Sequence, residues 1–304
     1  MEKVLTIHSA KGATRPISDF FLSGMAFGPP AAEYYVDGNV SATGTGTANS
    51  PFKTLAEAIT ASNTSIALTA NRWWARRNRI YCVGDALDET LTQLPTKCDV
   101  IGCGSYDGYT KCGLSGNHSS AAESYGTRFF NMHFLADATA SAIFTLAGAN
   151  SASGVQFHGC TFDATNGTVT SGILSTAMPF LGVFNCEFKG AFATSYISFG
   201  AGEAGGATIQ GNKMSGSLAL GVVLNSGTTA SWEMFMIGNY IKAAGIWVDD
   251  DADILHVIDN RAITEVDCAT YTAGFDMNLL LASGNLQTGS NAGDCDAVPH
   301  TLFA

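Results

Sequence analysis

A short phrase recurs along this chain, and it limits the possible folds more than any other feature. It consists of an apolar residue, any residue, a turn-type residue, a Cys or Asn, any residue, then an apolar residue. Copies read Val155-Gln156-Phe157-His158-Gly159-Cys160-Thr161-Phe162, Val183-Phe184-Asn185-Cys186-Glu187-Phe188, Ile209-Gln210-Gly211-Asn212-Lys213-Met214 and Met236-Ile237-Gly238-Asn239-Tyr240-Ile241. Looser copies centre on Asn260 and Asn285, and in the first, around Phe130–Phe134, Met132 takes the marker position. Successive markers, Met132, Cys160, Cys186, Asn212, Asn239, Asn260 and Asn285, step by about 26 residues.

That period decides between architectures. Helical-pair repeats need longer units and runs of 3.6-residue periodicity, and propeller blades need about 40 residues. Around each turn residue the apolar positions alternate, as in strands with one buried face. The chain is therefore read as all-β, a right-handed parallel β-helix with two or three strands per coil, each stacked about 4.8 Å from its counterpart. Stacking gives the marker a physical role. Cys160 is expected to lie under Cys186, with Asn212, Asn239, Asn260 and Asn285 following in file as an amide ladder. The marker Asn is also expected to take the left-handed conformation of a coil corner.

Ahead of the coils, Ser50 is suited to cap a helix and Pro51 to open it, while Phe52, Leu55, Ala56 and Ile59 share a face. This predicts a short amphipathic helix over 51–62, placed to cap the open end of the solenoid. Segments 79–84, 89–91 and 99–102 read as the strands of a first coil. The run Tyr35-Val36-Asp37-Gly38, the Gly/Thr loop, Ser50-Pro51-Phe52-Lys53-Thr54-Leu55, Ala58-Ile59 and Ile80-Tyr81-Cys82-Val83-Gly84 resembles the entry to pectate-lyase-like right-handed β-helix proteins. That entry is frequent in phage tailspikes and other virion β-helix proteins. The resemblance spans roughly residues 34–290 and implies a homotrimer and a virion setting. The organisation expected is an N-terminal extension over 1–33 that either docks on a larger assembly or packs along the solenoid flank or between subunits, an entry strand, loop and helix over 34–78, and coils with a C-terminal end cap over 79–304.

Composition narrows the function. Only 13% of the residues are charged and the net charge is −11. Beyond Arg128 the basic residues are Lys189, Lys213, Lys242 and Arg261. A nucleic-acid partner, or a strongly bound polyanionic glycan, would need clustered cations. The N-terminus does not read as a secretory signal, and no run of about 18 apolar residues suggests a membrane span. The eight cysteines include no Cys-x-x-Cys pair, so zinc ribbons are disfavoured and buried thiols are the expected majority.

No catalytic set is assembled by the sequence. The acidic run Asp249, Asp250, Asp251 and Asp253 is a weak cation candidate and reads more simply as a solvated loop between coils. Arg261 beside Asp259 reads as a structural ion pair, and the six histidines read as single surface residues. Trp73, Trp74, Trp232 and Trp247, with Phe235 and Tyr240, are the candidates for binding a glycan or a partner. Trp73 and Trp74 read more simply as the joint between helix and first coil, filling the solenoid end. The expected function is a non-enzymatic virion structural protein exposed on the particle surface, without cofactor or metal, in contact with other virion proteins. The alternatives are a tailspike or adhesin that grips a host surface glycan, and a polysaccharide lyase or hydrolase.

Overall fold

The computed structural model describes residues 6–8, 14–16, 31–66, 76–104, 111–120, 124–137, 142–147, 152–176, 178–200, 202–203, 205–216, 220–224, 228–229, 234–241, 246–248, 255–262, 266–267, 280–283 and 286–287. Apart from an antiparallel pair, Thr6–His8 with Thr14–Pro16, the strands among them form a right-handed parallel β-solenoid. Ten strands make the first sheet, in strict chain order: Glu33–Val36, Asn78–Cys82, Cys98–Gly102, Arg128–Phe130, Gln156–His158, Gly182–Phe184, Thr208–Gln210, Met234–Ile237, Leu255–Ile258 and Leu280–Ser283. A second column runs from Ala86–Asp88 and Cys112–Ser115 to Leu286–Gln287. The long strands Thr161–Thr176 and Glu187–Phe199 carry it round a corner into a third column, which starts at His118–Ser119 and Ala142–Ala147.

Alternate residues of each column point inward and meet their own kind one coil away. The first inner file is Ile80, Val100, Phe129, Phe157, Val183, Ile209 and Met236, and the second is Leu87, Leu114, Phe134, Phe162, Phe188, Met214 and Ile241. All of these are buried. Phe129 stacks on Phe157, and Phe162 on Phe188, while Phe144 meets Phe134 and Phe157 edge-on. Offset and edge-to-face pairs of this kind fill a narrow core densely.

The marker file forms as the repeat predicts. Asn212 Nδ2 donates to Asn239 Oδ1 at 2.9 Å, and Asn239 Nδ2 to Asn260 Oδ1 at 2.8 Å. Each Oδ1 also accepts a backbone N–H from the coil before it: Cys186 to Asn212, Asn212 to Asn239 and Asn239 to Asn260, over steps of 26, 27 and 21 residues. The second amide hydrogen reaches a carbonyl of the preceding coil, Val183 from Asn212, Ile209 from Asn239 and Met236 from Asn260. Cys160 and Cys186 continue the file with thiols, which meet the Phe129 and Phe157 carbonyls at 3.6 and 3.5 Å. Asn285 lies outside the described residues. Among those described, Cys82, Cys98, Cys112, Cys160 and Cys186 are buried free thiols and Cys103 is an exposed one.

One expectation at this corner is corrected. The left-handed residue is not the marker but the residue before it: Asn131, Gly159, Asn185, Gly211, Gly238 and Asp259 all have φ between 51° and 67°. Gly, Asn and Asp are the types that tolerate this region. The chain turns from the first sheet into the second there, and the marker side chain points along the axis.

The helix spans Leu55–Ile66 rather than 51–62. Ser50 instead closes a turn with Thr47, and Phe52 bridges to Val36 as an extension of the first sheet. Thr54 is the cap. Its hydroxyl accepts from Glu57 N, and the Glu57 carboxylate accepts from Thr54 N, a reciprocal capping box. Glu89 reaches across to accept the N–H groups of Leu55 and Ala56. The buried face is Leu55, Ala58, Ile59, Ser62 and Ile66, and Ala56 is exposed. This face packs on Glu33–Val36 and Asn78–Cys82, the terminal strands of the first sheet. Asn78 Nδ2 fastens the contact through Ser62 and Ser65. The first coil's second strand is Ala86–Asp88, not 89–91.

His118 departs most from expectation. It heads the third inner file, in register with Phe144, and is 1% exposed. Its Nδ1 accepts from Leu91 N, so the ring is neutral, and burial pushes its pKa down to about 3. An unfolded histidine protonates near 6.5. Folding stability is therefore full above that pH and falls as pH drops toward 3, because the unfolded chain takes up a proton the folded one refuses. Urea titrations at pH 7, 6, 5 and 4 should show this decline, and His118→Gln should flatten it. A variant with an unchanged pH slope would remove His118 as its source.

Candidate functional site

The outward residues of the first sheet also fall into files. One runs Tyr35, Tyr81, Ile101, Phe130, His158 and Phe184, then Gln210, Ile237 and Ile258. Except for Gln210, which is exposed, these residues are half-buried. Tyr35 stacks on Tyr81 at 5.1 Å, while Phe130, His158 and Phe184 form a three-ring stack with centroids 4.8 Å apart. Phe235 and His256 repeat the motif in the neighbouring file. The cause is the coil geometry, because strands about 4.8 Å apart hold outward rings at stacking distance.

Within the stack the ring faces are used on each other, so what remains for solvent is mainly ring edge. His158 is held in place by Gln156, whose Oε1 lies 3.1 Å from its Nε2. Burial, and next the charge of Arg128, push its pKa down to about 4. At neutral pH it is an uncharged ring, and the stripe is uncharged and mostly apolar, broken by the exposed Gln210. Toward the front of the same face, Asp99 accepts from Arg77 Nη1 and from Arg128 Nε, both at 2.7 Å, and Arg128 also lies over the Phe130 ring.

A second polar cluster lies on the second sheet. Asp163 Oδ2 is 2.9 Å from His133 Nε2 and 3.0 Å from Lys189 Nζ, and Asp163 Oδ1 accepts from the amide and hydroxyl of Thr165. His133 is 2% exposed, which corrects its reading as a surface residue. Although burial opposes it, these donors hold the Asp163 carboxyl well below the usual range. An acid catalyst for glycoside cleavage needs the opposite, a carboxyl that keeps its proton near neutral pH. The cluster behaves as a clamp joining three coils.

Most of the residues singled out in the sequence lie where the structure gives no description of their side chains. Trp73, Trp74, Trp232 and Asp249, Asp250, Asp251 and Asp253 lie outside the described residues. Trp247 is on the strand Ile246–Val248, between Val223 and Asp267, and only its backbone is described. For Arg261, too, only the backbone place is described, on a strand between Tyr240 and Leu286. Phe235 is on the first sheet and Tyr240 on the second, so they share no face. Compared with known protein families, curated proteins and solved structures, the chain matches none. The stacked stripe was missed because only its inward neighbours carry the repeat signal. Phe130, His158 and Phe184 each stand two residues before a marker, and aligning the copies on the marker would have exposed the file.

Proposed function

We propose that this chain is a non-enzymatic structural protein of a phage particle surface, of the capsid-decoration or head-spike type, working as a homotrimer. The observation that carries the proposal is the outward stripe from Tyr35 to Ile258 on the first sheet. A long, mostly apolar strip on a rigid face, continuous from Tyr35 to Phe184, marks a surface that another protein covers. Edge-on rings suit interdigitation with side chains of another copy better than the flat stacking a pyranose needs. The resemblance of residues 34–84 to virion β-helix entries supports the particle setting.

The tailspike reading ranks second, and one residue favours it. Phe180 is 44% exposed, rests its ring over Gly206 and holds a φ of 60°. A bulky residue in that region stores strain, which is commonest at functional positions.

Light scattering of the purified chain should give three times its 31.7 kDa mass. The double variant Phe130→Ser with Phe184→Ser should give a folded species of lower mass, its fold checked by circular dichroism. A monomeric parent chain, or a double variant of unchanged mass, refutes the stripe as the trimer contact. Antibody labelling of phage particles then tests the setting: label over the capsid supports decoration, label at the tail tip favours the tailspike, and no label on any particle ends the virion reading.

A further inference from the structure

Asn166-Gly167 is the only Asn-Gly pair in the chain. It lies in the strand Thr161–Thr176, at the corner where the second column turns into the third. There the ladder to Glu187–Phe199 slips. Ala164 pairs with Gly190 and the next pair is Thr168 with Ala191, so Thr165, Asn166 and Gly167 bulge out of register. The base of the bulge is held. Thr165 donates its N–H to Asp163 Oδ1 at 2.9 Å, and its hydroxyl donates to the same oxygen. Gly190, with a φ of 96°, lets the neighbouring coil press against Ala164 and Thr165, where a Cβ would collide with Thr165 N. Beyond that base Asn166 is exposed and Gly167 half-buried.

An asparagine followed by glycine carries its own reaction. The side-chain carbon Cγ can close a five-membered ring with the next backbone nitrogen, and glycine has no Cβ to block the approach or restrict the backbone that must bend to allow it. Secondary structure usually prevents this by engaging that nitrogen or fixing the side chain. Other asparagines of the chain show the protection. Ser50 N, after the exposed Asn49, donates to Thr47 O at 3.0 Å, and Val40 N, after the exposed Asn39, donates to Asp37 O at 3.3 Å. Asn63 lies within the helix, and its Oδ1 accepts from Thr96 N. At the bulge Gly167 has no register partner on Glu187–Phe199. The most reactive dipeptide in the chain thus falls where the ladder is interrupted and water has access.

We infer that Asn166-Gly167 is a self-modification site, at which the Gly167 nitrogen converts Asn166 into aspartate or isoaspartate with water as the only co-reactant. The nitrogen gives up its proton and attacks Cγ. The new N–Cγ bond closes a succinimide ring as the Cγ–Nδ2 bond breaks, and Nδ2 leaves as ammonia with that proton. Water then opens the ring. Attack at Cγ gives aspartate, and attack at the backbone carbonyl gives isoaspartate, in which the chain runs through Cγ. No electrons are exchanged. Either product adds one negative charge to the corner. Isoaspartate also lengthens the backbone by one carbon, which a bulge absorbs without moving the pairs on either side. The site lies between the second and third columns, away from the stripe on the first sheet, so it is independent of the trimer reading.

The full chain, aged at pH 7.4 and 37 °C and then digested, should show the segment around Asn166 one mass unit heavier and split into two chromatographic peaks. This should happen before the segments holding Asn39, Asn49 or Asn63 change. Its rate should lie within about tenfold of that of a synthetic peptide of residues 163–170, because the bulge restrains the link little. Gly167→Ala should slow the conversion at least about tenfold. Conversion of the folded chain more than about tenfold slower than the peptide, or later than at Asn39, Asn49 or Asn63, overturns the site. A folded Gly167→Ala that converts at the parent rate also overturns it. If that variant does not fold, the comparison of parent chain with peptide decides alone.

Discussion

Replacing Asn239 with Leu should cost about 4 kcal/mol, although Leu is as large and more apolar. The Asn239 Oδ1 accepts both the backbone N–H and an amide hydrogen of Asn212. Without it, two donors at a 1% exposed position have no partner and no water. Each such orphan costs about 1–3 kcal/mol, and the loss of Nδ2 leaves the Ile209 carbonyl short as well. Unfolding in guanidinium, followed as both midpoint and rate, measures the effect. A loss below about 1 kcal/mol would mean that the file contributes packing and little bonding. Replacing Asn212, Asn239 and Asn260 together should cost less than three times the single change, because donors and acceptors are then removed as pairs.

Phe157→Ala should be comparably damaging, at about 3–5 kcal/mol. The ring is fully buried among Phe129, Phe134, Phe144 and Phe162, at centroid distances of 5.3, 5.9, 5.0 and 5.2 Å. Backbone bonds on both sides hold the strand Gln156–His158 in place, so the cavity can collapse only in part. The outward Phe184, on the next coil, makes a good control. In the isolated chain Phe184→Ala removes one end of a half-buried stack and should cost under about 1.5 kcal/mol. Equal losses at the two positions would contradict the assignment of inner and outer faces.

The fold was legible because its most constrained point recurs in the sequence. A left-handed residue followed by an axial polar or thiol side chain leaves few choices, and Gly211-Asn212 and Gly238-Asn239 state the rule almost unaltered. The third column was not legible. It has no turn residue of fixed type, and His118 and Phe144, which pair within it, share no residue class. The helix was found but misplaced, since Pro51 has two uses in short segments and here ends a turn rather than opening a helix. Thr54 and Glu57 carried the better signal, a capping box three residues apart. The outer site was illegible for a different reason. An outward position needs no particular residue type to fold, so Phe130, His158 and Phe184 look incidental until the register aligns them.

The corner after the first sheet has a practical consequence. Among the described residues from Gly159 to Asn260, each turn at this corner is made in two residues, Gly159-Cys160, Asn185-Cys186, Gly211-Asn212, Gly238-Asn239 and Asp259-Asn260. Yet the coils between Cys186, Asn212, Asn239 and Asn260 differ, at 26, 27 and 21 residues. All of that variation is taken up on the return path. From Gly159 to Asn260 the solenoid therefore has one straight seam and one side of uneven length. A residue inserted at the seam would swap the inner and outer faces of the following strand. On the uneven side, a grafted peptide would cost little beyond loop closure. Foreign epitopes placed there would be displayed at intervals of one coil along a rigid ruler.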